Sequence, residues 1–417
     1  MDNQPNADVP EPGSPDPNFG DNGIVIPSKE SGVTHAIVSD ESGRLTHASR
    51  IGKEFLLARL LMDGDVDEGF VPTTSQFETG DQSIPMRLLL QKDGKIVLIG
   101  ESKKDNVRRP GVRRFHPNGS PDLIFGNRIR TGPDNSFAPV VPHKFVDGCL
   151  QDDQKILIVA NYYVNYSLGT PVSRLYRLQS NGEPDTGFGN GQGFIDIKFK
   201  QRDSFARMVH VQRDGKIIVT GLYFDAQKER CGAGARYSVE GNLDTTFGTD
   251  GFSDISLKLA ESPKSTIASD FLFSDSLSCL QSDDKVIFAT WTRGADGRDW
   301  GLLTRLNADG SNDQQFNAGS PALTSRKDAD VRWRAAAVQA DGKIVVVGYV
   351  RWETPGNELF MAKQRFSPEG QPEDFAWFNS PGDYWDVAIQ SSKRIVVSGS
   401  SGGSSTGEPR VIGLLAE

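Results

Sequence analysis

In this 417-residue chain the segment that comes nearest to metal chemistry is Asp63-Gly64-Asp65-Val66-Asp67, whose carboxylates have the alternating spacing of a calcium loop. Such a loop also needs Gly at its sixth position and a bidentate Glu at its twelfth, and Glu68 and then Phe70 to Thr74 stand there instead. The competing reading is that Asp63, Asp65 and Asp67 cap their own backbone in a turn. Five histidines, His35, His47, His116, His143 and His210, show no metal-ligand spacing, although ligands from separate strands can still converge. No nucleophile elbow, Walker loop or dinucleotide fingerprint occurs between a strand and a helix. Cys149, Cys231 and Cys279 cannot all pair, and they read as small strand residues. These residues call for no metal and no cofactor, and they favour a non-enzymatic protein over an enzyme.

The elements that would position such residues recur along the chain. Val338 to Gly348 reads V-Q-A-D-G-K-I-V-V-V-G, a β-hairpin around Asp341-Gly342. A two-residue turn with positive φ at both central positions is expected there, which Gly takes without a Cβ clash. Copies lie at Leu90 to Gly100, Leu150 to Ala160, Val211 to Gly221, Leu280 to Thr290 and Ile389 to Gly399. A worn copy at Val38 to Ala48 has Ser39 in the place of Gln. The glutamines are 60, 61, 69, 58 and 51 residues apart, the long period of a repeat architecture.

Between hairpins lies a second half-unit built on a Gly turn, as in Arg177, Gly182, Asp185 and Phe188, or Arg305, Gly310, Asp313 and Phe316. Arg59 with Asp67, Arg114 with Asp122 and Arg236 with Asp244 repeat it. An Arg–Asp pair found in nearly every unit reads as a brace across the turn, and an exposed one is worth only about 0–1 kcal/mol. The copy at Arg365 and Gly370 slips, offering Glu373 or Asp374 and then Phe375 or Phe378. Residues 13–23 are a second half with no first half before them, and the closing Arg410 to Glu417 leads in register into them. The expected architecture is all-β: a seven-bladed β-propeller with four antiparallel strands per blade over residues 12–417. The segment Ile24 to Ile26 would complete the last blade and close the ring, after a disordered tail at residues 1–11.

Leu-Gln-x-Asp-Gly-Lys-Ile-x-Val-x-Gly followed by Arg-Leu-x-x-Asp-Gly-Ser-x-Asp-x-x-Phe-Gly, at a period near sixty, resembles the bacterial delta-60 repeat propellers over residues 12–417. The resemblance implies the fold and carries no agreed activity.

A formal net charge of −9, with no basic stripe, disfavours nucleic acid and anionic membranes as partners. No apolar run approaches 18 residues, which argues against a membrane span. The first residues show no secretory signal, so a cytoplasmic protein, or one exported by another route, is expected, as a monomer.

Two groups remain as binding candidates. Inner propeller strands begin at one mouth of the central channel, where His35, Arg87, Asp147, Arg207, Asp275, Arg334 and Asp386 would gather. The competing reading is a self-neutralised ring of salt bridges that plugs the channel. Trp291, Trp300, Trp333, Trp352, Trp377 and Trp385 all fall in the last third of the chain. Trp300 and Trp352, expected in loops, suit sugar stacking or protein contact, with core packing as the alternative. The function expected is a non-enzymatic binding module for a ligand or protein. A carbohydrate-binding propeller, and a channel-centred lyase or lactone hydrolase using His35 or a charged residue, are the alternatives.

Overall fold

The Asp-Gly hairpins form, but through a different turn. The computed structural model describes residues 13–105, 107–133, 136–137, 146–164, 170–227, 230–255, 257, 277–352, 358–402 and 407–415. Gln339 N–H donates to Lys343 O at 2.8 Å, and Gly342 N–H donates to Gln339 O at 2.9 Å. Gly342 has φ +85° while Asp341 does not have positive φ. This is a three-residue loop ending in one left-handed residue, not the expected primed turn. Gln154, Asp284 and Lys393 occupy the same left-handed place at φ 66°, 65° and 70°. In the worn copy Asp40 N–H donates to Arg44 O, so Asp40, not Ser39, stands where the other hairpins have Gln.

Five sheets have the four-stranded antiparallel pattern of a propeller blade. Blade I comprises Gly32–Ser39, Leu45–Ile51, Glu54–Leu60 and Thr73–Ser75. Blade II comprises Gln82–Leu90, Ile96–Lys104, Val107–Phe115 and Asn127–Ile129. Blade III comprises Val146–Leu150, Ile156–Val164, Thr170–Leu178 and Phe194–Ile197, with Ser136–Phe137 added beside its second strand. Blade IV comprises Ser204–Val211, Ile217–Phe224, Arg230–Tyr237 and Phe252–Ile255. Blade V comprises Leu277–Leu280, Val286–Arg293, Asp299–Leu306 and Ala322–Thr324.

The expectation of seven such blades is corrected here: five form, and the rest of the chain makes one seven-stranded sheet. That sheet runs through Ala329–Val338, Ile344–Trp352, Leu359–Phe366, Pro372–Ile389, Ile395–Ser401 and Pro409–Leu414 to Ile24–Val25. The cause is the slipped half-unit. In blade V Asn312 pairs with Leu306, and the chain then makes a loop that buries Asp313 and Phe316 before its fourth strand starts at Ala322. After Gly370 Pro372 pairs likewise with Phe366, but the strand resumes almost at once, with Phe375 opposite Gln364. With that loop missing, the strand that begins at Pro372 continues for 18 residues to Ile389 and belongs to both halves of the sheet.

The array closes on itself. Innermost strands of neighbouring sheets pack side by side, and Gly32–Ser39 packs on Pro372–Ile389. Ile24 and Val25 pair with Ile412 and Val411, and Gly13 N–H donates to Leu415 O at 3.0 Å. The core lies between adjacent sheets: Leu157, Val159 and Phe188 of blade III, for example, bury against Ala206, Val209 and Val219 of blade IV. The tail expected at residues 1–11 lies outside the described residues. Among those described, no helix is long and apolar enough to cross a membrane.

The recurring Arg, Asp, Phe and Gln form one device. Arg177 Nε donates to Asp185 Oδ2 at 2.7 Å, and its guanidinium lies 4.5 Å from the Phe188 ring centre. It also donates to Val239 O in the next blade. Arg59 reaches Pro117 O at 2.8 Å, Arg236 reaches Ala308 O at 2.9 Å and Arg305 reaches Pro368 O at 2.7 Å. The brace is therefore a clasp between sheets as well as across a turn. It is also less exposed than expected, with side chains 4% and 5% accessible at Arg177 and Asp185. Where the ring closes, the third strand Pro409–Leu414 has Gly413 at the Arg position. Arg394 takes over from the neighbouring hairpin, donating to Asp16 Oδ2 and to Met62 O, both at 2.7 Å.

Candidate functional site

Asp63 and Asp67 are engaged within their own turn, to which Asp65 lends its backbone N–H. Asp65 N–H donates to Asp63 Oδ1 at 3.2 Å, Gly69 N–H to Asp67 Oδ1 at 3.0 Å, and Arg59 to Asp67 Oδ2 at 2.7 Å. Among the described residues no group of three His, Cys, Asp or Glu side chains is placed to hold a metal ion.

The channel residues divide into two groups, and β-bulges are the reason. The inner strands shift register between Thr34 and Ala36, Pro85 and Arg87, Ala206 and Met208, Trp333 and Ala335, and Tyr384 and Asp386. His35, Arg207 and Arg334 are the extra residues of their bulges, whereas Arg87 and Asp386 stand one residue later and point the other way. Met86 and Trp385 are the bulge residues of the other two strands, each five before its Gln, as Arg207 and Arg334 are.

Arg87 and Asp386 line a cavity of about 270 Å3 with Met208, His210, Leu277 and Ser278. Arg87 Nε lies 3.7 Å from Asp147 Oδ1. Burial works against the Arg87 charge, but Asp147 and Asp386 outweigh it and raise its pKa. Both carboxylates are also engaged by the fold: Asp147 Oδ2 accepts from Val209 N–H and Asp386 Oδ2 from Ile37 N–H, each at 3.2 Å in the following sheet. On the cavity wall His210 Nε2 lies 2.7 Å from Ser278 Oγ, which lies 2.6 Å from Thr220 Oγ1. Burial, reinforced by the Arg87 charge, lowers the His210 pKa to about 3, so the ring is neutral. The sequence marks this pair only as polar residues where other inner strands carry apolar ones.

At the bulge level Arg334 pairs with Asp383 at 2.9 Å and lies over the Trp385 ring at 4.3 Å, and Trp385 meets His35 edge-on at 4.6 Å. All are buried. Arg207 stacks over its own Phe205 at 5.9 Å and does not line the cavity. Asp275 lies outside the described residues. Cys149, Cys231 and Cys279 are not joined in disulfides, and burial pushes the Cys279 pKa up to about 12.

The tryptophans are placed differently from expectation. Trp300 and Trp352 are strand residues, not loop residues, and both are half-buried. Trp300 covers Gly294, where an added Cβ would meet the indole at 2.2 Å, and donates to Asp296 Oδ2 at 3.3 Å. Trp291, Trp333 and Trp385 are buried. Trp377 is 47% accessible and is the one exposed aromatic among the described residues. It sits in the shared strand Pro372–Ile389, opposite Ala362. Around it runs a ridge: Phe360 to Trp352 at 5.4 Å, Trp352 to Trp377 at 5.7 Å and Trp377 to Phe375 at 5.9 Å between ring centres. Arg326, from the connection out of blade V, lies 3.7 Å over Phe375 at the far end. Trp352 pairs with Ala329 at the start of the inner strand, and the ridge runs from there inward to Trp377 and Phe375, which stand opposite Ala362 and Gln364.

The beta-propeller domain of unknown function DUF5122 matches residues 91–125, 151–188, 212–247 and 281–316. Each match runs from the hairpin Gln to the clasp Phe. The chain is thus a β-propeller repeat protein. No curated protein matches it in sequence. Among solved structures it is similar to a polysaccharide lyase of family PL25, an ulvan lyase bound to a GlcA-Rha3S unit. That pair shares 10% identity over 94% of this chain and 96% of that one, with a TM-score of 0.51. It is also similar to virginiamycin B lyase from Staphylococcus aureus, at 10% identity over 94% and 98%, TM-score 0.48. A glucose dehydrogenase matches at 10% identity over 94% and 99%, TM-score 0.43. At such identity the likeness is one of fold.

Proposed function

We propose that the protein is a non-enzymatic binding module of the delta-60 repeat propeller kind, and that it captures carbohydrate on the ridge formed by Phe360, Trp352, Trp377 and Phe375. The observation that carries this reading is Trp377, which leaves about half of a large apolar side chain in water. The repeat does not require it, since the ridge stands in the one half-unit that departs from the pattern. An indole held at a fixed angle by neighbouring rings presents an apolar face that complements the C–H face of a pyranose, at low cost in side-chain freedom. The channel supports the same reading by contrast, because Asp147 and Asp386 already serve backbone N–H groups and Arg87 serves them.

A glycan array followed by calorimetry tests the proposal. Trp377→Ala should weaken binding at least about tenfold with an unchanged melting temperature. Binding that survives Trp377→Ala intact, or an array with no signal, would reject the ridge as a sugar site.

A further inference from the structure

Among the described residues Arg326 has no carboxylate partner. Its guanidinium donates to Ser325 O and lies 3.7 Å over the Phe375 ring, and burial alone lowers its pKa. Arg113, over Phe55 and Phe115, likewise has no acid among the described residues but is held by Ser75 Oγ and Gln76 O, whereas the recurring clasp arginines are ion-paired. Arg59, Arg114, Arg177, Arg236 and Arg305 each lie over a Phe and are each held by an Asp. Arg326 repeats the Arg-over-Phe half of that arrangement without the acid, and it does so at the end of the exposed ridge.

We infer that the ridge takes an acidic glycan, with Arg326 supplying the cation for a sugar carboxylate or sulfate while Trp377 stacks on the neighbouring ring. This deepens the carbohydrate reading and rests on it. The guanidinium, backed by Phe375, is a planar fork of N–H donors, which suits carboxylate and sulfate oxygens. Stacking on Phe375 fixes the fork beforehand, so little side-chain freedom is lost on binding. The two anions are distinguished by separate probes.

The experiment is calorimetry on the intact chain with three oligosaccharides of equal length: an oligogalacturonate, a sulfated oligogalactan and the neutral oligogalactan. At low salt at least one charged probe should bind roughly fivefold tighter than the neutral one, and the preference should shrink as salt is added. Arg326→Gln should remove the preference and leave neutral binding in place, whereas Arg326→Lys should keep part of it. Circular dichroism and melting temperature show that each variant is folded. Equal binding of all three probes, or an undiminished preference in Arg326→Gln, overturns the acidic ligand while leaving the glycan reading standing. No binding of any probe overturns both.

Discussion

His47 and His210 are buried and held neutral. Burial alone lowers the His47 pKa to about 4, and burial with the Arg87 charge lowers that of His210 to about 3. In the unfolded chain an imidazole takes its proton near pH 6.5. Below that pH the unfolded state binds more protons than the folded one, so stability is intact above about 6.5 and is lost as pH falls towards 4 and 3. Each histidine should contribute a slope of up to about 1.4 kcal/mol per pH unit in that window. Urea titrations at pH 7, 6 and 5 should show a shallower acid loss for His47→Gln than for the parent chain; an identical slope would mean that the ring titrates normally. Neither histidine announces this in the sequence, where His47 merely stands in a strand otherwise much like its neighbours. The residue proposed to carry binding was equally hidden. All six tryptophans can be counted, but only packing shows that Trp377 is the one left open while Trp300 and Trp352 are half covered.

At the scale of elements the clasp is the recurring unit. Arg177 and Asp185 are nearly inaccessible, and the carboxylate holds a cation that also bonds Phe-loop and next-blade carbonyls. Asp185→Asn would leave the Arg177 charge buried without its counter-ion and should cost about 3–5 kcal/mol. Asp67→Asn, where both side chains of the pair are 11% accessible, should cost less. Reversible urea unfolding of the two variants measures the order, and equal costs would argue against burial as the source. The hairpins and the Arg–Asp–Phe spacing were legible because they depend on local turn chemistry. What the clasp reaches was not, because Val239, Ala308 and Pro368 offer only backbone oxygens, which every residue has. The slip after Gly370 was visible as a lost Asp and Phe. That it would fuse two expected blades depends on strand pairing across the gap, which spacing alone does not specify. The bulges hold a constant place five before the Gln but have no residue type in common, and one residue decided which side chains face the cavity.

For the molecule as a whole, closure depends on the amino-terminal segment. Phe19 is fully buried, Asp16 holds Arg394, and Ile24 and Val25 complete the last sheet. Deleting residues 13–26 should therefore lower the melting temperature of the entire chain by several degrees, since 1 kcal/mol is worth about 2–4 °C in a protein of this class. A truncated chain that melts with the parent would show that the ring does not need this seam. The shared strand Pro372–Ile389 has a different effect. Side chains alternate along it, so sliding it by one residue would turn inward and outward faces over in both of its sheets together. An inserted residue there would be felt twice. The register that this strand keeps for both halves of the sheet is also what holds Trp377 in its place.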